Sequence, residues 1–161
     1  MRFTDASVRD PTSISGGVGF LAGGCIDAMA SRQHLVAPDS HVSEVVAAGS
    51  NLHRLIPIRG ILQELSLPQT MPTPLYIDAS STICVINDEA STRRSAWIGR
   101  RIKVLQEAVN MGEIHCVKIS ERDNVADMMT KYLTFSVWSR HSHVLLNLPG
   151  KAPDHPRQPA G

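Results

Sequence analysis

The segment Leu75–Ser81, LYIDASS, decides the fold, because an apolar strand pattern changes there directly into the start of a helix. Its first three residues suit a buried strand, and the hydroxyl groups of its two serines can cap a helix that reaches Asn87. Asp78 stands at the change of structure, although strand interiors disfavour aspartate. The segment therefore predicts a strand that leads at once into a helix, as in sheets covered by helices.

A second aspartate lies in a similar setting near the start of the chain. Residues 2–7, RFTDAS, predict a short first strand, and the run FTDAS around Asp5 resembles YIDAS around Asp78. In an open sheet, ligands gather at the carboxyl ends of neighbouring strands where the chain order reverses. Two such strands would bring the two carboxylates together, although either aspartate alone also fits a turn or a helix cap.

Three more strand patterns complete a five-stranded sheet. A glycine-bounded apolar run at 16–24 predicts the second strand, residues 26–32 the third, and the alternation over 114–119 the fifth. Strands come first and then alternate with helices along the chain. This order predicts an α/β fold, with a mixed sheet flanked by helices.

Two helices are expected between the third and fourth strands. Pro38–Ser40 is a helix-start signal, and the first helix should run over about 41–54. Pro57 then interrupts the apolar pattern, because proline lacks the N–H group that an interior helix position needs. We expect it to open a second helix that continues through Leu65.

The second half of the chain holds two further helix patterns and a tail. Apolar residues at three- and four-residue steps over 97–109 predict a long helix, and residues 124–132 predict a short one. We therefore expect a domain over 1–133 and a C-terminal extension over 134–150. Residues 151–161 contain three prolines, and we expect them to be disordered.

The composition limits the class of protein. The chain has 161 residues, 42 % of them hydrophobic and 19 % charged, which suits one globular domain that buries roughly 70 % of its unfolded surface. No apolar run approaches the roughly 20 residues of a membrane span, and the first residues hold no secretory signal. We expect an intracellular monomer, cytoplasmic or nuclear, without a membrane partner. The three cysteines and seven histidines lack the spacing of disulfide or zinc sites.

Two further acids complete a set that suits metal chemistry. Glu44 lies in the first turn of the first predicted helix, and Asp127 lies among apolar neighbours early in the last one. Each also fits the simpler role of an acid that compensates the positive end of a helix dipole. Together with Asp5 and Asp78 they would supply oxygen ligands from several elements, which a two-metal site requires. Their convergence is a hypothesis that the spacing alone does not prove.

A basic segment is the candidate contact for a polyanion. Residues 93–103 hold five basic and no acidic side chains, although the net charge of the whole chain is only +1. A helix face that only meets solvent would show the same pattern. As a nucleic-acid contact, the segment offers phosphate ligands. They are Arg93, Arg94, Arg100, Arg101 and Lys103. Aromatic residues make up 4 % of the chain, so we expect base stacking to contribute little.

The order and surroundings of the four acids resemble the ribonuclease H domain of copia-type retrotransposon polyproteins, from about Arg2 to Leu133. Glu44 matches the catalytic glutamate in the helix start of that family, Asp78 its third catalytic acid and Asp127 its fourth. The matching segments are Thr4–Ser7, Gly16–Leu21, Ser31–Ala37, Ser43–Ala48, Ile61–Pro68, Tyr76–Ser81 and Asn124–Lys131.

The resemblance implies a ribonuclease H-like fold that hydrolyses the RNA strand of RNA–DNA hybrids with two Mg²⁺ ions, or Mn²⁺ as a substitute. By this resemblance Asp5 would bridge both ions. Glu44 and Asp78 would bind the ion near the leaving group, and Asp127 the ion that activates water. A reverse transcriptase domain is the expected protein partner.

Some residues depart from the family's pattern and leave other functions open. Ala79 stands where the family usually has asparagine, and Trp97 replaces a histidine. A catalytically degenerate retroelement remnant, which binds nucleic acid or a protein partner without cleavage, is therefore an alternative. A related nuclease that acts on DNA is a third candidate, although integrases of similar fold lack a glutamate at the position of Glu44.

Overall fold

A five-stranded mixed sheet forms the centre of the protein. The computed structural model describes residues 1–8, 12–34, 37, 39–87 and 98–148. The strands are β1 (Arg2–Ser7), β2 (Ile14–Leu21), β3 (Gly24–Arg32), β4 (Thr73–Ile77) and β5 (Ile114–Lys118). Their order is β3-β2-β1-β4-β5, with β1, β2 and β3 antiparallel and with β4 parallel to both β1 and β5. The predicted fold class is confirmed.

Helices cover both faces of this sheet. The α-helices of the described residues are α1 (Ser40–Glu64), α2 (Ser80–Asn87), α3 (Gly99–Asn110) and α4 (Phe135–Leu145). A 3₁₀ segment, Val125–Met129, replaces the short α-helix expected there. Helix α4 lies within the expected C-terminal extension and packs on the 3₁₀ segment. None of the helices in these described ranges has the length and apolar character that a membrane span needs.

The protein has one apolar cluster on each face of the sheet, and different helices pack on each. Leu75 and Ile77 of β4 are fully buried against α1, α2 and α3. Tyr76, between them in sequence, packs instead with Phe3, Val125 and α4 on the other face. Successive side chains of a strand point to opposite faces, so this single strand contributes to both clusters.

Helix α1 differs from the sequence-based expectation at Pro57. The structure has one helix of 25 residues with Pro57 inside it, so the predicted end near Arg54 and the second helix were wrong. Pro57 is exposed, whereas Leu55 before it and Leu62 after it are both buried. The apolar face thus continues past the proline, and its burial outweighs the one hydrogen bond that proline removes.

A buried polar network fixes α1 on the sheet. Arg2 is fully buried, and its Nε atom donates to Asn51 Oδ1 of α1 at 2.6 Å, while its guanidinium pairs with Asp27 at 2.7 Å. Asn51 Nδ2 donates to Thr4 Oγ1 and to the Gly16 carbonyl, each at 2.9 Å. A buried amide fully satisfied by two strands permits one position of the helix along the sheet. The helix turns before Asn51 are thereby held over β1.

Candidate metal centre

The parallel pairing of β1 and β4 places two aspartates side by side. Phe3 of β1 is in register with Tyr76 of β4. Continued by two residues, this register sets Asp5 beside Asp78, at the point where the chain order of the sheet reverses. The likeness of FTDAS and YIDAS therefore has a spatial counterpart, because the two matched runs are adjacent and aligned.

Three of the four predicted acids come together in the structure. One carboxylate oxygen of each of Asp5, Asp78 and Asp127 lies within 4.8 Å of the others. Asp5 comes from the middle of β1, Asp78 follows the end of β4, and Asp127 belongs to the 3₁₀ segment. We call these three residues the acid cluster. Three elements that are distant in sequence thus supply it.

Glu44 lies beside the acid cluster rather than within it. The side chain is buried in α1, and its Oε1 atom accepts a hydrogen bond from the Ala6 N–H group at 3.2 Å. Its Oε2 atom is buried and has no hydrogen-bond partner among the described residues. A buried oxygen of this kind is costly unless a donor or a cation reaches it.

Burial and mutual repulsion raise the pKa values of three of these acids. Burial, with the charges of Asp5 and Asp78, raises the pKa of Glu44 to about 8. Burial and the charge of Asp5 raise the pKa of Asp127 to about 7. Burial also raises the pKa of Asp5, against a hydrogen bond from Thr130 and the charge of Lys131. Too much negative charge is therefore concentrated here for one lysine to balance. A set of carboxylates, in which Asp5 Oδ1 and Glu44 Oε2 accept no hydrogen bond from the described residues, suits a hard cation such as Mg²⁺.

Sequence reasoning missed the polar residues that support the cluster. Lys131 Nζ lies 3.0 Å from Asp127 Oδ1 and 3.3 Å from Asp5 Oδ1, and the Thr130 hydroxyl donates to Asp5 Oδ2. Asn124 Nδ2 donates to the Thr4 carbonyl at 3.0 Å and approaches Asp78 Oδ2 at 3.4 Å. The four-residue spacing of Asp127 and Lys131 was a usable signal for the first pair. The contacts of Thr130 and Lys131 with Asp5 could not be predicted from local sequence, because these residues are far apart along the chain.

The predicted phosphate contacts are only partly described. Arg100, Arg101 and Lys103 are exposed on α3, and the first two line a groove between α1 and α3 together with His53. Arg93 and Arg94 lie outside the described residues. The structure thus places three basic side chains where a polyanion can reach them.

Aromatic side chains are more accessible than their number suggested. Tyr132, Phe135 and Trp138 are exposed to 94 %, 80 % and 50 %, and the last two stack with ring centroids 6.2 Å apart. They follow the acid cluster directly in sequence. Exposed aromatic surface is therefore available on the segment that follows Lys131 in the chain.

The chain was compared with proteins of known sequence and structure. No family model matches it. Over 133 residues, 80 % of its length, it is 30 % identical to the retrovirus-related Pol polyprotein from transposon TNT 1-94 of Nicotiana tabacum, and it spans about 10 % of that relative. It is also similar to LC11-RNase H1, isolated from compost by a metagenomic approach. The TM-score is 0.60 and the identity 14 %, over 80 % of this chain and 90 % of that one. These findings confirm the resemblance and the ribonuclease H-like fold.

Proposed function

Because this chain is a ribonuclease H-like domain homologous to part of a transposon Pol polyprotein, we propose that it cleaves the RNA strand of RNA–DNA hybrids with divalent metal ions. One observation carries the proposal. Asp5, Asp78 and Asp127 converge within 4.8 Å, with Glu44 buried beside them. A structural role would not require buried acids to stay this close without matching cations.

In this proposal all four acids hold the metal. Asp5 would bridge two ions, Glu44 and Asp78 would hold the one near the leaving oxygen, and Asp127 would hold the other. When bound, two Mg²⁺ ions, or Mn²⁺ in their place, supply the charge that activates water and stabilises the departing 3′ oxygen. Cleavage would leave 5′-phosphate and 3′-hydroxyl ends.

The neighbouring polar groups orient the acids. The Thr130 hydroxyl occupies one oxygen of Asp5, which leaves the other turned toward Lys131 and Asp127. Asn124 joins the Thr4 carbonyl of β1 to the Asp78 carboxylate. Such contacts restrict the rotation of the aspartate side chains before metal binds, so less conformational entropy is lost when it does.

Recognition of the hybrid would rest on phosphates and duplex shape. Arg100, Arg101 and Lys103, with Arg93 and Arg94, would meet the backbone, so binding should be salt-sensitive and weakly sequence-dependent. Metal ions would offset the acid cluster, and affinity for the hybrid should therefore rise when they bind. Since the chain spans about 10 % of its relative, a reverse transcriptase domain in the same polyprotein is the proposed partner.

Cleavage of a labelled RNA–DNA hybrid tests the proposal. We expect the protein to cut the RNA strand with Mg²⁺ or Mn²⁺, and Asp78→Asn to remain folded but lose at least a hundredfold in rate. Asp123→Asn is the matched control, because Asp123 is an acid of the same region outside the cluster. It should cleave like wild type.

The alternatives give different results in the same assay. An intact hybrid, under conditions in which an unrelated ribonuclease H cleaves it, would refute the enzyme proposal. Hybrid binding that depends on salt but not on divalent metal would then favour a catalytically degenerate retroelement remnant. Cleavage of DNA duplexes instead of the hybrid would indicate the DNA nuclease.

A further inference from the structure

Lys131 occupies a place between two ligands of the proposed metal site. Its ammonium group donates a hydrogen bond to Asp127 Oδ1 at 3.0 Å and forms an ion pair with Asp5 Oδ1 at 3.3 Å. The side chain is about one third exposed, whereas both aspartates are almost fully buried. The lysine thus enters the cluster from the solvent side.

An ammonium group and a divalent ion compete for these oxygens, because both are cations. Mg²⁺ binds carboxylate oxygens at about 2.1 Å, so an ion on Asp127 Oδ1 would lie no more than about 5 Å from Nζ at its present position. Two positive charges at that separation repel strongly where water is scarce. The ion should therefore bind more tightly when the ammonium group has moved away.

A second acceptor lies outside the cluster. Glu121 Oε1 is 4.0 Å from Lys131 Nζ, and the Glu121 side chain is 81 % exposed. A small rotation of the lysine side chain would move its ammonium group from the buried aspartates to this glutamate. The charge would remain paired while the two aspartate oxygens became available.

We propose that Lys131 is an internal counter-ion which stabilises the metal-free acid cluster and moves to Glu121 when a divalent ion binds. This inference rests on the proposed function, because it assumes a metal at Asp5 and Asp127. Lys131 is a positioning residue that acts through Asp5 and Asp127. It weakens metal binding, and it stabilises the fold of the metal-free site by balancing part of its charge. Metal affinity and metal-free stability are therefore coupled through one side chain.

Calorimetric titration with Mn²⁺ tests this exchange. Lys131→Met should bind Mn²⁺ at least tenfold more tightly than wild type, because the competing charge is gone. Lys131→Arg should stay close to wild type. The matched control is Lys118→Met, since Lys118 is also beside the site but donates to the Asp78 backbone carbonyl. It should change affinity by less than about twofold.

Thermal unfolding gives a second measurement that needs no catalysis. Without metal, Lys131→Met should melt several degrees below wild type, and saturating Mn²⁺ should raise its melting temperature by more than it raises that of wild type. Glu121→Gln removes the outer acceptor, so Mn²⁺ affinity should fall about two- to threefold. Equal or weaker Mn²⁺ binding by Lys131→Met would overturn the role of Lys131 alone. Absence of saturable binding in every protein, wild type included, would overturn the metal site as well.

Discussion

At the scale of single residues, the site is dominated by buried carboxylates that outnumber the positive charges paired with them. Glu44 shows this most clearly, because one oxygen has the Ala6 N–H group and the other has no partner among the described residues. Lys131 pairs with Asp5 and Asp127, and its charge lowers the pKa of Glu44 less than burial raises it. The metal-free protein therefore keeps Glu44 neutral over much of the physiological range.

The pH dependence of stability follows from the raised pKa of Glu44. The group titrates at about 4.5 when unfolded and at about 8 in the fold, so between these values the unfolded chain binds fewer protons. The contribution of Glu44 to the stability of the metal-free protein should thus be fully present below about pH 4.5 and be lost, by a few kcal/mol, as the pH rises to about 8. Glu44→Gln keeps the oxygen that accepts from Ala6 and should flatten this slope in urea unfolding. An unchanged slope would contradict the assignment.

At the scale of elements, the length of α1 connects the core to the site. Asn51 fixes the middle of the helix through Arg2 and the strands, and Glu44 lies seven residues earlier, on the same side of the helix. Continuation of the helix past Pro57 adds Leu62 to the buried face. The position of Glu44 therefore depends on packing along the entire helix rather than on its first turn.

Replacement of Pro57 tests whether the proline lowers the free energy of unfolding. Pro57→Ala restores an N–H donor inside α1 without changing the buried face, and should raise the free energy of unfolding by about 1–3 kcal/mol. Pro68→Ala, at an exposed position beyond the helix, should leave it unchanged or lower it slightly. Urea unfolding of both variants gives the comparison. A less stable Pro57→Ala would show that the proline shapes the helix rather than weakening it.

At the scale of the whole molecule, a near-neutral chain separates its charges. The net charge is +1, yet the acid cluster lies where the chain order of the sheet reverses. The basic residues of α3 are exposed on the surface of that helix. Divalent ions would neutralise the first region and leave the second to attract a polyanion. Only the distribution of charge, and not its sum, bears on the partner.

Salt dependence tests the basic side of the molecule. Replacement of Arg100, Arg101 and Lys103 together by alanine should weaken hybrid binding and reduce the slope of log K against log salt by about 3, if each contacts a phosphate. Arg32→Ala, on the far edge strand β3, is the control and should keep the wild-type slope. Fluorescence anisotropy at several salt concentrations supplies the measurement. Equal slopes would show that α3 only meets solvent.

The local patterns of the sequence were sufficient for the strands and for the candidate acids. Alternating and apolar runs predicted β1, β4 and β5 within a few residues, because strand patterning depends on near neighbours. The likeness of the segments around Asp5 and Asp78 anticipated their adjacency. Position 57 was misjudged, because a local helix-breaking preference was outweighed by burial of leucines on both sides.

The sequence by itself thus determined the five strands and the acids that could hold a metal. Only the tertiary structure decided that Asp127 joins Asp5 and Asp78, that Glu44 lies beside them with one oxygen unpaired, and that Lys131 enters between two of them. Local preferences act over a few residues along the chain. The charge balance of this site depends instead on burial and on distances between groups that only folding brings together.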